Sequence, residues 1–300
     1  MMKIAILGAG GVGSYYGGML ARAGHPVSML ARGAHLDALR ERGLEVRTPE
    51  GTWTVQVRAV DDPAEIGPTD LAIVAVKSYS LEEIAPAVRL LAEAGADVLP
   101  LLNGVEAAER LVRSGVPDER VLGGIAEISA ARVGPGTVER RSTFHRVVAG
   151  ERPAGLSERA ERIAAAFREA GVEARASADI TADLWRKLAF ISTMAAGCGL
   201  ARGPVGQIRE KPLGRAVLER AVREVLAVGS ALGVKLREED VTLIMGFVES
   251  LGPTLKPSFL LDLESGRPTE IDDLCGAISR LGRQAGVDTP VHDVATAVLS

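Results

Sequence analysis

The chain has 300 residues, 47% of them hydrophobic and 25% charged, a balance that suits about two globular domains and excludes both disorder and small stapled scaffolds. Lysine and arginine number 35 against 39 acidic side chains, a formal charge of −4, which offers no electrostatic footprint for nucleic acid or an anionic membrane. Apolar runs such as Leu71 to Val76 fall far short of the roughly 20 residues that span a bilayer, so no membrane span is expected.

The opening Met1-Met2-Lys3-Ile4-Ala5-Ile6-Leu7 runs straight into glycines. That leaves no room for the apolar core and cleavage site of a secretory signal, and it predicts a cytoplasmic protein. Lys3 to Leu7 reads as a strand, followed by a helix from Val12 to Ala23 that Gly24 stops. A strand from Val27 to Ala31 and a helix from Leu36 to Arg42 repeat the alternation. Leu44 to Arg47 and Thr52 to Arg58, on either side of Thr48-Pro49-Glu50-Gly51, predict an inserted hairpin. Leu71 to Val76 and Val98 to Leu102 are continuous apolar runs suited to central parallel strands, with a helix from Leu81 to Glu93 between them.

A last strand, Val172 to Ala176, leads into the predicted hinge Ala176-Ser177-Ala178-Asp179. Beyond it helical patterns take over, in Leu184 to Leu200, Gly214 to Leu232, Asp240 to Leu251 and Ile271 to Ala285. The expected class is α/β: a Rossmann-type, doubly wound parallel sheet in residues 1–178 and an all-helical domain in residues 179–300. A ligand cleft is expected between the halves, where domain interfaces and strand carboxyl ends favour one. Cys198 and Cys275 read as two reduced core thiols, and His25, His35, His145 and His292 are too scattered for a metal site.

Gly8-Ala9-Gly10-Gly11-Val12-Gly13 matches G-x-G-x-x-G directly after a strand and at the start of a helix. Gly8 permits the tight turn, Gly10 lets a pyrophosphate approach the backbone, and Gly13 lets the helix pack closely on the sheet. The alternative is a plain glycine turn. An NAD site would place an acid about 20 residues further on, at the end of the second strand, to hold a ribose hydroxyl. Here that strand ends Met29-Leu30-Ala31-Arg32-Gly33. Arg32 suits a 2′-phosphate through its fork of donors, which points to NADP, although it can also be a solvated side chain.

Lys77 follows the first central run and Asn103 the second, so both sit at strand carboxyl ends where ligands bind. Each also has a structural explanation, a surface lysine and the turn pair Asn103-Gly104, but Asn103 is the only asparagine in the chain. Lys187 lies at the edge of the apolar stripe Leu184, Leu188, Ile191 and Ala195. It either snorkels its ammonium to water or projects into the cleft as a proton donor tuned by desolvation. Glu270, in Arg267-Pro268-Thr269-Glu270-Ile271-Asp272-Asp273, falls in the first turn of a proline-led helix, where an acid caps the helix or serves chemistry. Ser258, after Pro257, has the same pair of readings.

With these stretches in this order, together with Leu102-Asn103-Gly104-Val105 and Leu184-Trp185-Arg186-Lys187-Leu188, the chain resembles the ketopantoate reductase family (2-dehydropantoate 2-reductase) over essentially its whole length. The resemblance implies NADPH-dependent reduction of the 2-oxo group of ketopantoate to pantoate, on the route to pantothenate and coenzyme A. It implies Lys187 as general acid and Glu270 as the group that binds the nascent hydroxyl. It also implies that Ser258 helps hold the substrate, with Lys77 and Asn103 lining the nicotinamide and substrate mouth.

The chain departs from the family in one respect. Members usually carry asparagines four and eight residues after the lysine and another shortly before Ser258, where this chain has Ile191, Ala195, Leu255 and Lys256. Ser192, Thr193 or Lys256 are candidate substitutes, and Ile191 is compatible with a different 2-oxo acid or a bulkier ketone. Two other readings stay open: a dehydrogenase of hydroxyacids or polyol phosphates on a similar plan, and an NADP-sensing protein without turnover, against which the pair Lys187 and Glu270 weighs. Association through the helical half, as a homodimer, is compatible with the sequence.

Overall fold

A computed structural model describes all 300 residues. They gather into two compact units, Met1–Leu102 with Glu106–Ile180, and Asn103–Val105 with Thr181–Ser300.

In the first unit, β1 (Ile4–Leu7) leads through the glycine loop into α1 (Gly11–Arg22), then β2 (Val27–Leu30) and α2 (Gly33–Arg42). Next come β3 (Leu44–Thr48), β4 (Gly51–Val55), β5 (Arg58–Val60), β6 (Leu71–Val74), α3 (Leu81–Glu93), β7 (Asp97–Pro100) and α4 (Ala107–Arg113). The unit ends with β8 (Gly123–Glu127), β9 (Ala130–Gly134), β10 (Thr137–Arg140), β11 (Arg146–Gly150), α5 (Glu158–Glu169) and β12 (Glu173–Ser177). Five strands form the parallel sheet β5-β2-β1-β6-β7, in which Ile4 lies opposite both Val27 and Leu71. All four residues of β1 and of β6 are buried, which is why these strands read as unbroken apolar runs rather than alternating ones.

Two smaller sheets complete the unit, β4-β3-β10-β9 and β12-β11-β8. Of their strands the sequence foretold the hairpin β3–β4 and β12 but not β8 to β11. The expected strand Thr52 to Arg58 is in fact two: β4 pairs with β3, and β5 leaves the hairpin to pair with β2. Its alternating pattern runs unbroken across the change of partner, so periodicity alone cannot show the break. Helix α1 lies between the large sheet and the four-stranded one. A Cβ on Gly17 would stand 2.8 Å from Ile6, and one on Gly18 would stand 2.9 Å from Leu44. Glycine in a helix interior costs about 1 kcal/mol relative to alanine, so these positions trade helix propensity for close packing on both faces.

The second unit is all helical: α6 (Ile180–Ala201), α7 (Val205–Arg209), α8 (Pro212–Ala231), α9 (Glu238–Ser250), α10 (Ser258–Glu264), α11 (Ile271–Ala285) and α12 (Pro290–Leu299). The expected helix from Ile271 to Ala285 has those bounds in the structure, whereas the short α7 and α10 carry too few turns to show a period. No helix is long and apolar enough to cross a membrane. Glu224 of α8 is buried, and its carboxylate accepts from the amides of Val291 and His292 at the start of α12, at 3.0 and 3.2 Å. The His292 ring is buried with it, Nδ1 lying 2.8 Å from Glu224 Oε2 and Nε2 lying 3.2 Å from Ser192 Oγ. A carboxylate can only accept, so Nδ1 is the donor. Cys198 and Cys275 are free thiols, and burial pushes both up to about 12.

Candidate functional site

In the first unit, Gly8 turns the chain out of β1 with φ +108°, a region glycine enters without strain. It lies so close to the exit of β6 that a Cβ would stand 2.8 Å from the Val76 nitrogen, and a Cβ on Gly13 would overlap the Gly8 carbonyl oxygen. Gly10 differs. A Cβ there would meet nothing nearer than Ala75 O at 4.0 Å, so the space over this residue is open. Gly10 is also the N-cap of α1, brings no side chain to cap it, and is followed by a first turn without acids. Amides at that end, with the positive pole of the helix dipole, suit a phosphate. The turn, the close helix and the uncovered amides fit a dinucleotide pyrophosphate. Gly11 has a packing task that the motif does not reveal, since a Cβ there would overlap Ala130 O of β9.

Arg32 is the N-cap residue of α2, with extended backbone, and its side chain is 71% exposed. Its Nη1 donates to Glu83 Oε1 at 2.6 Å. Glu83 stands in the first turn of α3 beside Glu82, whose two oxygens accept from Arg110 Nε and Nη2, each at 2.8 Å. These bonds hold the Glu82 carboxyl below the usual carboxylate range. Arg110 Nη2 also donates to Ser78 O at 2.8 Å, so α4 secures the turn that starts α3. Lys77 precedes that turn and is half-buried. It does not sit directly on a strand end, as expected from the run through Val76. The last ladder bond is Ala75 N to Leu7 O, at 2.9 Å, after which the chain passes over Gly8.

In the second unit, Asn103 and Glu270 are brought together, Nδ2 donating to Oε2 at 3.2 Å. Gly104, with φ +94°, lies against the first turn of α11, a Cβ there standing 3.2 Å from Asp273 O. Asn103 follows β7 in sequence but belongs with the helices. Glu270 is 6% exposed, and it is the residue before α11 rather than part of its first turn. The expected helix-capping role of its carboxylate is absent: the side chain makes no bond to the helix amides and accepts from Asn103 instead. Lys187 is half-buried on α6, between the buried Trp185 and Leu188.

The candidate substitutes for the missing asparagines are corrected by burial and pairing. Ser192 and Thr193 have no exposed surface, so neither offers a hydroxyl to a ligand, and Ser192 Oγ is engaged with His292. Lys256 Nζ donates to both oxygens of Glu264, at 2.8 and 2.9 Å, in an exposed pair. Ser258 is the exposed first residue of α10, and its side chain makes no cap. Ala195 is fully buried, while Ile191, one turn after Lys187, is half-buried. Glu83 and Arg110 escaped the sequence reading. The adjacent acids Glu82-Glu83 at a helix start were the available signal, but the helix dipole accounts for such acids without any site.

Residues 4–154 match the family described as ketopantoate reductase PanE/ApbA, and residues 179–300 match its C-terminal counterpart, ketopantoate reductase PanE/ApbA C terminal. A 2-dehydropantoate 2-reductase of Halobacterium salinarum is 34% identical over 292 residues, covering 97% of this chain and 95% of that protein. Among solved structures, 2-dehydropantoate 2-reductase from Geobacter metallireducens GS-15 is similar with a TM-score of 0.91 and 32% identity, 99% of each chain being covered. D-mandelate dehydrogenase, in a ternary structure with NADH and anilino(oxo)acetate, is similar with a TM-score of 0.89 and 28% identity, covering 99% of this chain and 97% of that one.

Proposed function

This chain belongs to the ketopantoate reductase family, and we propose that it reduces a 2-oxo acid with NADPH, ketopantoate being the lead substrate. The wider class, an oxidoreductase, is common to the relatives. The loop Gly8, Ala9, Gly10, Gly11, Val12 and Gly13 holds the pyrophosphate, and Arg32 takes the 2′-phosphate. Bound reduced nicotinamide supplies a hydride to the carbonyl carbon. Negative charge then grows on the carbonyl oxygen, and Lys187 stabilises that charge and delivers the proton that completes the alcohol. Glu270 accepts a hydrogen bond from the new hydroxyl, with Asn103 orienting its carboxylate. Lys77 and Ser258 hold the remainder of the substrate.

The observation that carries this reading is the bond between Asn103 and Glu270. It pairs the single asparagine of the chain with a buried carboxylate that is not spent on capping its helix. The test is NADPH oxidation followed spectrophotometrically with ketopantoate and a panel of other 2-oxo acids, using the natural chain and Lys187→Ala. Turnover of ketopantoate that drops about 100-fold or more in the variant supports the reading. Undiminished turnover in Lys187→Ala removes the lysine from its role, and turnover of another acid with ketopantoate inert removes the substrate.

A second reading keeps the chemistry and enlarges the substrate. It is favoured by Ile191, an apolar half-buried side chain one turn after Lys187, and by the similar D-mandelate dehydrogenase, whose structure holds NADH and anilino(oxo)acetate. Aryl-substituted 2-oxo acids in the same panel decide between the two.

A further inference from the structure

The end of β2 lacks the acid of an NAD site, yet a carboxylate is present beside it, brought from α3. Glu83 Oε1 lies 2.6 Å from Arg32 Nη1. The two side chains are 71% and 64% exposed, and an ion pair so open to water adds little to folding and is readily exchanged for another partner. The reach of Glu83 is nevertheless set by the fold, because Arg110 grips its neighbour Glu82 and the Ser78 carbonyl. Arg32 therefore meets a 2′-phosphate as half of a neutral pair and not as a lone cation. A ribose 2′-hydroxyl is uncharged, and it is a donor that a carboxylate can accept from.

On the footing of the cofactor reading above, we infer that Glu83 sets the balance between NADPH and NADH by competing with the 2′-phosphate for Arg32. The phosphate carries close to two negative charges at neutral pH. To bind the fork of Arg32 it displaces Glu83, and the attraction so lost is worth about three- to tenfold in affinity at surface dielectric. NADH escapes this penalty, so the chain accepts both dinucleotides, with a preference for NADPH that Glu83 narrows.

The experiment titrates the full chain, Glu83→Gln, Arg32→Ala and the double variant with NADPH and with NADH, reading nicotinamide fluorescence. Thermal unfolding checks each fold, and Glu83→Ser serves as a second neutral replacement. Removing the charge at position 83 is expected to tighten NADPH about three- to tenfold without tightening NADH. Raising salt should shrink that gain, because the groups are exposed, and in the Arg32→Ala background the gain should vanish. If Arg32→Ala leaves NADPH affinity unchanged, the 2′-phosphate assignment fails and this inference with it. If Arg32→Ala weakens NADPH while both Glu83 variants keep the natural NADPH-to-NADH ratio, the role of Glu83 alone is overturned. An undiminished gain in the double variant also overturns it, since Glu83 would then act without Arg32.

Discussion

Asn103 and Glu270 stand 167 positions apart in the chain and meet through one hydrogen bond, from Nδ2 to Oε2 at 3.2 Å. The donor carries no charge and the acceptor is buried, so the two substitutions of interest at position 103 differ in kind. Asn103→Ala removes the donor and is expected to lower kcat/KM about tenfold, the worth of one hydrogen bond to a charged group. Asn103→Asp sets a second carboxylate against the first and is expected to lose about 100-fold near neutral pH, recovering in part as the pH falls and one of them takes a proton. Steady-state kinetics against pH separates the two.

Gly10 and Gly13 divide binding from folding. Gly13→Ala forces a Cβ into the Gly8 carbonyl oxygen and is expected to cost about 1–3 kcal/mol by overpacking. Gly10→Ala meets nothing nearer than Ala75 O at 4.0 Å, so its unfolding free energy should stay within about 0.5 kcal/mol of the natural chain. Its methyl group, however, stands where a phosphate would approach, and NADPH should bind more weakly. Urea unfolding and dinucleotide titration of both variants check the division.

Stability should fall in mildly acid solution through histidine. Burial, and after it the charge of Arg132, holds His35 below its ordinary 6.5. Its Nδ1 accepts the Gly136 amide at 2.9 Å, a role open only to an unprotonated nitrogen. Burial followed by the charge of Arg140 lowers His145 likewise. Between the folded and unfolded values the unfolded chain binds more protons, so this stability is complete above about pH 6.5 and drains away as the pH drops below it. Glu82 and Glu151 are lowered by hydrogen bonds from Arg110 and Arg159, and their share is lost only below the ordinary 4.5. Melting temperature should therefore decline already between about pH 6.5 and about pH 5.5, and His35→Asn, which keeps an acceptor but does not titrate, should flatten that decline.

His292 is expected to matter for stability, because its buried ring joins two helices to a carboxylate. His292→Leu leaves the Glu224 carboxylate buried, still facing the amides of α12 but without the ring donor, and it also strips Ser192 Oγ of its partner. The expected loss is about 2–4 kcal/mol in urea unfolding. A loss below about 1 kcal/mol would show that water takes over both bonds.

Local signals revealed what local physics controls. The strand, glycine turn and helix at the start of the chain, the buried runs of β1 and β6, and the amphipathic α11 all carry their pattern in adjacent residues. Strands β9 and β10 do not. Both are short, β9 is barely buried, and β10 is held between its hairpin partner β9 and the parallel β3, more than 90 positions earlier. The site divides in the same way. Arg32, Asn103 and Glu270 could each be picked out from their neighbours, whereas the pairings, Arg32 with Glu83 and Asn103 with Glu270, span 51 and 167 positions. No window of sequence contains either pair. The replacement of the absent asparagines by Ser192 or Thr193 failed for a related reason: a helix with buried residues on nearly every side leaves no periodic stripe from which to tell core hydroxyls from ligand-facing ones.

The grip on α1 from two sheets, through Gly17 against Ile6 on one side and Gly11 and Gly18 against Ala130 and Leu44 on the other, means that its N-terminus, the proposed anion site, is held in place by packing before any anion arrives. Its ordering entropy is spent at folding, so a dinucleotide surrenders mainly its own freedom on association. The tolerance of the loop to mutation is thereby exported. An enlarged side chain at Leu44 or Ala130, neither of which belongs to the glycine motif, would tilt the helix and blunt recognition as surely as damage to the motif.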